Sequence, residues 1–338
     1  MSVETANLGS VVREAERHGQ RFELRRGDLG GELGLRKLSI ASAVLPPGKA
    51  DGAYRFHLVV ENAVLVLGGE LRIRLGGAEY ALGPGDVVAL PARASSAWQL
   101  LGRSDRPVHL LIAATACDRD VIGLPDSGKR VYRVRPDGED GDAEDVVLRG
   151  DRVAELYDGE PVGEPLGPAP EAIEPRDPRI TNVDDVAWEA FGRPPFRGER
   201  KRLSRAVGAE RLGYSLYRLQ PGQRPFPFHF HQANEEFFYV RSGYGQLRTV
   251  DGARELRPGD AFGCPVGIEG GHGILNTGDG PLEYFALSTM IEPEVIEYPD
   301  SDKLYVMVGS PPGGDARRRI VDRVFRRGDT VEYEEGEA

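Results

Sequence analysis

"HFHQANEEF", residues 229–237, sets two histidines one residue apart and follows them with two adjacent glutamates. Side chains alternate across a strand, so His229 and His231 share one face while Phe228 and Phe230 take the other. At about 3.3 Å per residue, an unbroken strand would carry Glu235 roughly 13 Å beyond His231, too far to share an ion. A glutamate joins these histidines only if the chain turns back, with "QAN" (232–234) as the turn and "EEFFYV" (235–240) as the returning strand. Farther on, "RPGDAFGCPVGIEGGHGILN" (257–276) adds His272 in a glycine-rich bend that lets the backbone fold sharply. Spacing alone leaves two readings open: a metal site, or a polar edge strand that is rich in histidine.

The rest of the chain reads as all-β. Short runs such as "AVLVLGG" (63–69), "VVALPA" (87–92) and "YFALST" (284–289) alternate with turn signals such as "LGPGD" and "LRPGD". Helical periodicity is confined to two short candidates, "VVREAERH" (11–18) and "VDDVAWEAF" (183–191). A hydrophobic content of 40% supports real cores, and a net charge of −11 argues against nucleic acid or an anionic membrane as the main partner. The opening residues lack a basic segment followed by an apolar core, and no apolar run approaches the roughly 20 residues of a membrane span. The expected setting is the cytoplasm. Two cysteines, Cys117 and Cys264, are too few for a disulfide framework, and Cys264 reads as a buried structural thiol.

The chain repeats itself. "GLPDSGK" (123–129) recurs as "EYPDSDK" (297–303), an offset of 297 − 123 = 174. The same offset pairs Phe22 with Phe196, Gly48 with Gly222, Gly85 with Gly259, Pro91 with Pro265 and Thr115 with Thr289. Two homologous domains follow, residues 1–160 and 180–338. Between them, residues 161–179 carry six prolines and no periodicity, which reads as a stiff, extended linker.

The segment from Gly222 through His229, His231 and Glu236 to Gly243 resembles the first cupin motif. The segment from Gly259 through Pro265 and His272 to Asn276 resembles the second. The loop before His229 and the loop before His272 are each longer than the family pattern, and the ligand spacings are intact. The resemblance implies two tandem cupin domains, jelly-roll β-barrels with inward-facing ligands. It selects Glu236 over Glu235, because Glu236 stands seven residues before Gly243. It also implies a metal held by His229, His231, Glu236 and His272. In detail, "PFHFHQANEEFFYV" and "STMIEPEVIEYPDSDK" are similar to small bacterial cupins of unassigned function.

Subtracting 174 gives Arg55, His57, Asn62 and Trp98 in the first copy, so only one of the four implied ligands survives there. A degenerate first domain is then either a packed scaffold or an anion pocket built on Arg55 with Trp98 as its wall. Three imidazoles and one carboxylate suit a single divalent transition metal per chain, Fe, Mn, Ni, Zn or Cu. The expected function is a metal-dependent enzyme acting on a small oxygenated metabolite, with dioxygenase-type chemistry ahead of isomerase or lyase chemistry. The alternative is a non-catalytic module that binds or senses a sugar or metabolite. The expected partner is a small molecule, and a homodimer is left open. Tyr214, Tyr217, Phe238, Tyr244 and Tyr284 fall on strands that would line the cavity, with none assigned a catalytic role.

Overall fold

The computed structural model describes residues 3–135 and 143–337. Its regular secondary structure is nearly all strand. Each half is built on a seven-stranded antiparallel sheet with smaller sheets beside it, and the sheets stay separate rather than closing into one barrel. In the C-terminal half, a three-stranded and a four-stranded sheet accompany the large sheet. The N-terminal half has three- and five-stranded partners.

The two large sheets meet face to face. Ile40, Ala63, Leu65, Val87, Ala89, Leu111 and Ala113 from one pack against Tyr214, Leu216, Phe237, Ala261, Phe285 and Leu287 from the other. Each large sheet therefore buries both faces, one against its own half and one against the other half. This is why "AVLVLGG" and "VVALPA" read as continuous apolar runs rather than as clean alternation. Inside each half, a second apolar cluster fills the space toward the smaller sheets, around Leu45, Ile73 and Trp98 in the first and around Val240, Phe262 and Tyr284 in the second.

The halves also exchange strands. Thr5–Asn7 pairs with Asp260–Cys264 in the C-terminal sheet, and Ile180–Asn182 pairs with Asp86–Leu90 in the N-terminal sheet. The side chain of Asn7 donates to Asp260 at 2.9 Å, and that of Asn182 donates to Asp86 at 2.9 Å. The repeat is thus also a pseudo-twofold in space. Each copy begins in the other copy's sheet, so a division along the sequence does not separate two bodies at these strands.

Residues 161–179 form neither helix nor strand, and they are docked on the first half. The Val162 carbonyl accepts from the Gln20 N–H at 2.7 Å, Ile173 N–H donates to the Glu79 carbonyl at 3.1 Å, and Arg176 pairs with Asp86 at 2.6 Å. Both helical candidates are corrected. Glu14–His18 and Glu189–Arg193 are strands, each added to the outer edge of a large sheet beside Phe22–Asp28 and Phe196–Lys201. Between Val183 and Asp185 there is one 3-10 turn. Five- to nine-residue segments form isolated helices poorly, and a ready row of edge hydrogen bonds overrides their weak local preference.

Candidate metal centre

The four implied ligands arrive on three pieces of chain. His229 precedes and His231 ends the short strand Phe230–His231, which pairs with Glu294–Tyr298. Glu236 opens the strand Glu236–Ser242 after the turn at 232–234. His272 lies directly across from His229, and the two backbones exchange hydrogen bonds of 3.1 and 2.9 Å. Glycine makes this return possible. Gly267 sits at φ = 87°, and a Cβ at Gly270 would fall 1.8 Å from the Pro265 carbonyl oxygen.

Each imidazole has its Nδ1 occupied. His229 Nδ1 meets the Pro227 carbonyl at 2.8 Å, His272 Nδ1 meets the Gly270 carbonyl at 3.0 Å, and His231 Nδ1 meets Glu294 Oε2 at 3.1 Å. These contacts fix the ring orientations and leave Nε2 as the ligating atom. The Nε2 atoms of His231 and His272 lie 3.3 and 3.2 Å from Glu236 Oε2. Donor atoms of His229, Glu236 and His272 all fall within 4.8 Å of one another, and His231 joins the group through Glu236.

Glu236 Oε2 is buried and, although close to two imidazoles, makes no hydrogen bond of good geometry among the described residues. A buried carboxylate oxygen in that condition is costly unless a cation faces it. Three nitrogen donors and one carboxylate, with no thiolate, form a set that fits a divalent transition metal.

The groups also act on one another electrostatically. Burial pulls the His231 imidazole down, but Glu236 and Glu294 outweigh it and lift His231 to about 10. Burial, then His272 and His231, hold His229 down to about 3. Burial pushes the Glu236 carboxyl up, and the imidazoles of His231 and His272 carry it well below its ordinary value.

Glu235 is absent from this cluster, although it is adjacent to Glu236 and 2% exposed. Its carboxylate crosses to the first half and accepts the backbone N–H groups of Arg36, Lys37 and Leu38 at 2.7–3.0 Å. Glu61, its counterpart at the same offset, accepts from Glu210 and Arg211 in the second half at 2.7–3.1 Å. Lys37 Nζ donates to the Ala233 carbonyl and Arg211 to the Val59 carbonyl, which completes a symmetric joint.

Glu294 is the residue that the sequence reading missed. It is fully buried, holds His231, and accepts backbone N–H groups from Gln232, Ala233, Asn234 and Val295 at 2.9–3.1 Å. A signal was present, since the offset of 174 pairs Glu294 with Asp120, and Asp120 holds His57 Nδ1 at 2.6 Å. Glu294→Gln is expected to weaken metal affinity about 10–100-fold, because the orienting carboxylate is lost while the ligands remain. Competition with a chromogenic chelator measures this.

In the first copy, Arg55 and Trp98 face each other as His229 and His272 do. The Arg55 guanidinium stacks 3.7 Å from the Trp98 ring centre and pairs with Asp51 at 2.8 Å. Its charge is committed within the domain, which favours the packed-scaffold reading over an anion pocket. Cys264 is buried in the apolar cluster opposite Glu236, and burial pushes its thiol well up. Tyr217, Phe238 and Tyr284 line the cavity beside the cluster, whereas Tyr244 is exposed. Asn276 fixes its loop, donating to the Leu219 and Gly280 carbonyls at 2.7 and 2.9 Å.

The cupin-domain family profile matches residues 215–288, a span that contains all four implied ligands. Residues 215–288 are therefore similar to a cupin domain. Solved structures with two cupin domains share the fold over most of its length. A Pseudomonas aeruginosa protein named as glyoxylate-induced is 15% identical, with a TM-score of 0.53, covering 85% of this chain and 89% of that one. The Lactobacillus farciminis oxalate decarboxylase formate complex is 16% identical, with a TM-score of 0.51, covering 85% and 86%. A Bacillus subtilis oxalate decarboxylase mutant is 16% identical, with a TM-score of 0.50, covering 85% and 77%. At this identity the likeness is one of fold. No curated protein matches this chain in sequence, and none of its described helices is long and apolar enough to cross a membrane.

Proposed function

We propose that this bicupin holds one divalent transition metal at His229, His231, Glu236 and His272 and is a metal-dependent enzyme acting on a small oxygenated metabolite. The observation that carries the reading is the convergence of the buried Glu236 oxygen on the Nε2 atoms of imidazoles whose other nitrogens are already fixed. A bound ion supplies Lewis-acid or redox chemistry toward a substrate that offers two vicinal or 1,3-related oxygens. Dioxygenase-type chemistry is the first form to test, ahead of isomerase or lyase chemistry.

The chain's own contribution is a shaped, mostly aromatic space. Two adjoining cavities of about 370 and 1420 Å³, counting their open mouths, share Tyr217, Phe226, His229, Glu236 and Ala286. Tyr217 and Tyr284 stack with ring centres 5.3 Å apart, and Tyr298 lies 5.9 Å from the His229 ring. Burial raises all three phenols, Tyr298 to about 12, so they stay protonated at neutral pH and can donate to substrate oxygens. Phe238 keeps the inner end apolar and Phe226 lines the more exposed side, which suits a small rather than a polymeric substrate.

Metal loading followed by elemental analysis tests the assignment. One equivalent per chain is expected. His231→Ala should lose most of it, and His57→Ala should keep it. Two tightly bound equivalents would contradict the loss of the site in the first half. An oxygen-uptake screen of the loaded protein with chelating metabolites then separates catalysis from binding without turnover, the mark of a sensing module.

A further inference from the structure

The larger cavity at the proposed centre has a one-sided charged lining. Arg200, Arg202, Arg205 and Arg319 line it against a single carboxylate, Glu236. The chain as a whole carries a net charge of −11, so this concentration of arginine runs against its overall balance. Two of the four are neutralised in place. Arg202 pairs with Glu189 at 2.8 Å, and Arg319 pairs with Asp322 at 3.3 Å while donating to the Ser310 and Pro311 carbonyls. Arg205 stands exposed near the rim.

Arg200 differs from these three. It is half-buried, its Nε is fully enclosed, and that Nε has no hydrogen-bond partner among the described residues. The register shows where it points. Arg200 lies directly across from Tyr217, and Tyr217 lies directly across from Tyr284, so the three form one row over three strands. Tyr284 shares its face with Ser288, which lies opposite Glu236. Arg200 therefore stands on the face that carries Glu236, with Tyr217 between them. Its guanidinium sits 5.2 Å from the Phe191 ring centre and also hydrogen-bonds the Tyr217 side chain.

We propose that the substrate carries an oxyanion, a carboxylate or a phosphate, which Arg200 receives while the rest of the molecule reaches the metal centre. The proposal rests on the metal-enzyme reading for its second half only. A guanidinium offers a planar fork that matches two oxyanion oxygens, and the neighbouring Tyr217 hydroxyl adds a further donor. An anion here meets the guanidinium and the Tyr217 hydroxyl from the cavity and is drawn in by the exposed Arg205 beside them.

The test uses metal-free protein and reads the Arg200 Nε–H cross-peak by NMR, assigned through its loss in Arg200→Lys. The protein is titrated with sodium acetate and, separately, with inorganic phosphate at constant ionic strength. A saturable shift with one of them is expected and names the oxyanion that fits. Calorimetric affinity for that anion should fall about tenfold in Arg200→Lys and further in Arg200→Met, since the fork and then the charge are removed. No saturable shift with either anion, or an affinity unchanged in Arg200→Met, overturns the proposal. Because no metal is present, failure of the metal assignment would leave this result untouched.

Discussion

Glu236→Gln is expected to abolish stoichiometric metal binding, while the same change at Glu235 should leave one equivalent in place. The two residues are neighbours, but alternation sends them to opposite faces of one strand. Glu236 supplies the only carboxylate among the implied ligands, and its Oε2 lies within 3.3 Å of two imidazoles. An amide in its place presents a neutral group, so affinity should fall by at least about 100-fold, beyond the loss expected for an orienting residue. Folding should survive, since Gln keeps the volume. Equilibrium dialysis with elemental analysis decides the matter. If Glu235→Gln were the variant that lost metal, the strand register would be off by one residue and the whole inward-facing set would be reversed.

Glu235→Ala should instead weaken the joint between the halves. Removing its carboxylate leaves the N–H groups of Arg36, Lys37 and Leu38 without it, that of Leu38 buried and the other two more open to water, each worth up to about 1–3 kcal/mol when left unpaired. Allowing for partial rescue by water, a loss of about 3–5 kcal/mol is expected. Glu61→Ala, the pseudo-twofold counterpart, should cost a similar amount through Glu210 and Arg211. Urea unfolding followed by tryptophan fluorescence measures both, with Trp98 buried in the first half and Trp188 half-buried in the second. A Glu235→Ala protein as stable as the parent would show that the joint is held by its apolar face alone. A Glu235→Ala protein that also lost its metal would mean that the joint positions the ligands.

What the sequence determined by itself was the class of fold, the duplication and the identity of the candidate ligands. The first two are written in alternation, turn residues and a constant offset of 174, while spacing alone left the histidine pair between a metal site and a polar strand, and the resemblance to the cupin motifs named the four candidates. The glycine-rich approach to His272 was legible for the same reason, since a chain that must return within a few residues needs positions such as Gly267.

Only the tertiary structure decided what Glu235, Glu294 and the first few residues do. Glu235 is satisfied by N–H groups about 200 residues away in sequence, and Glu294 holds a histidine 63 residues before it. Thr5–Asn7 completes a sheet whose other strands all come from the second copy. The two helical candidates became edge strands because a neighbouring strand offered them hydrogen bonds that a short isolated helix could not match. In each case the partner lies far along the chain, and a residue's local pattern carries no record of which distant backbone will satisfy it.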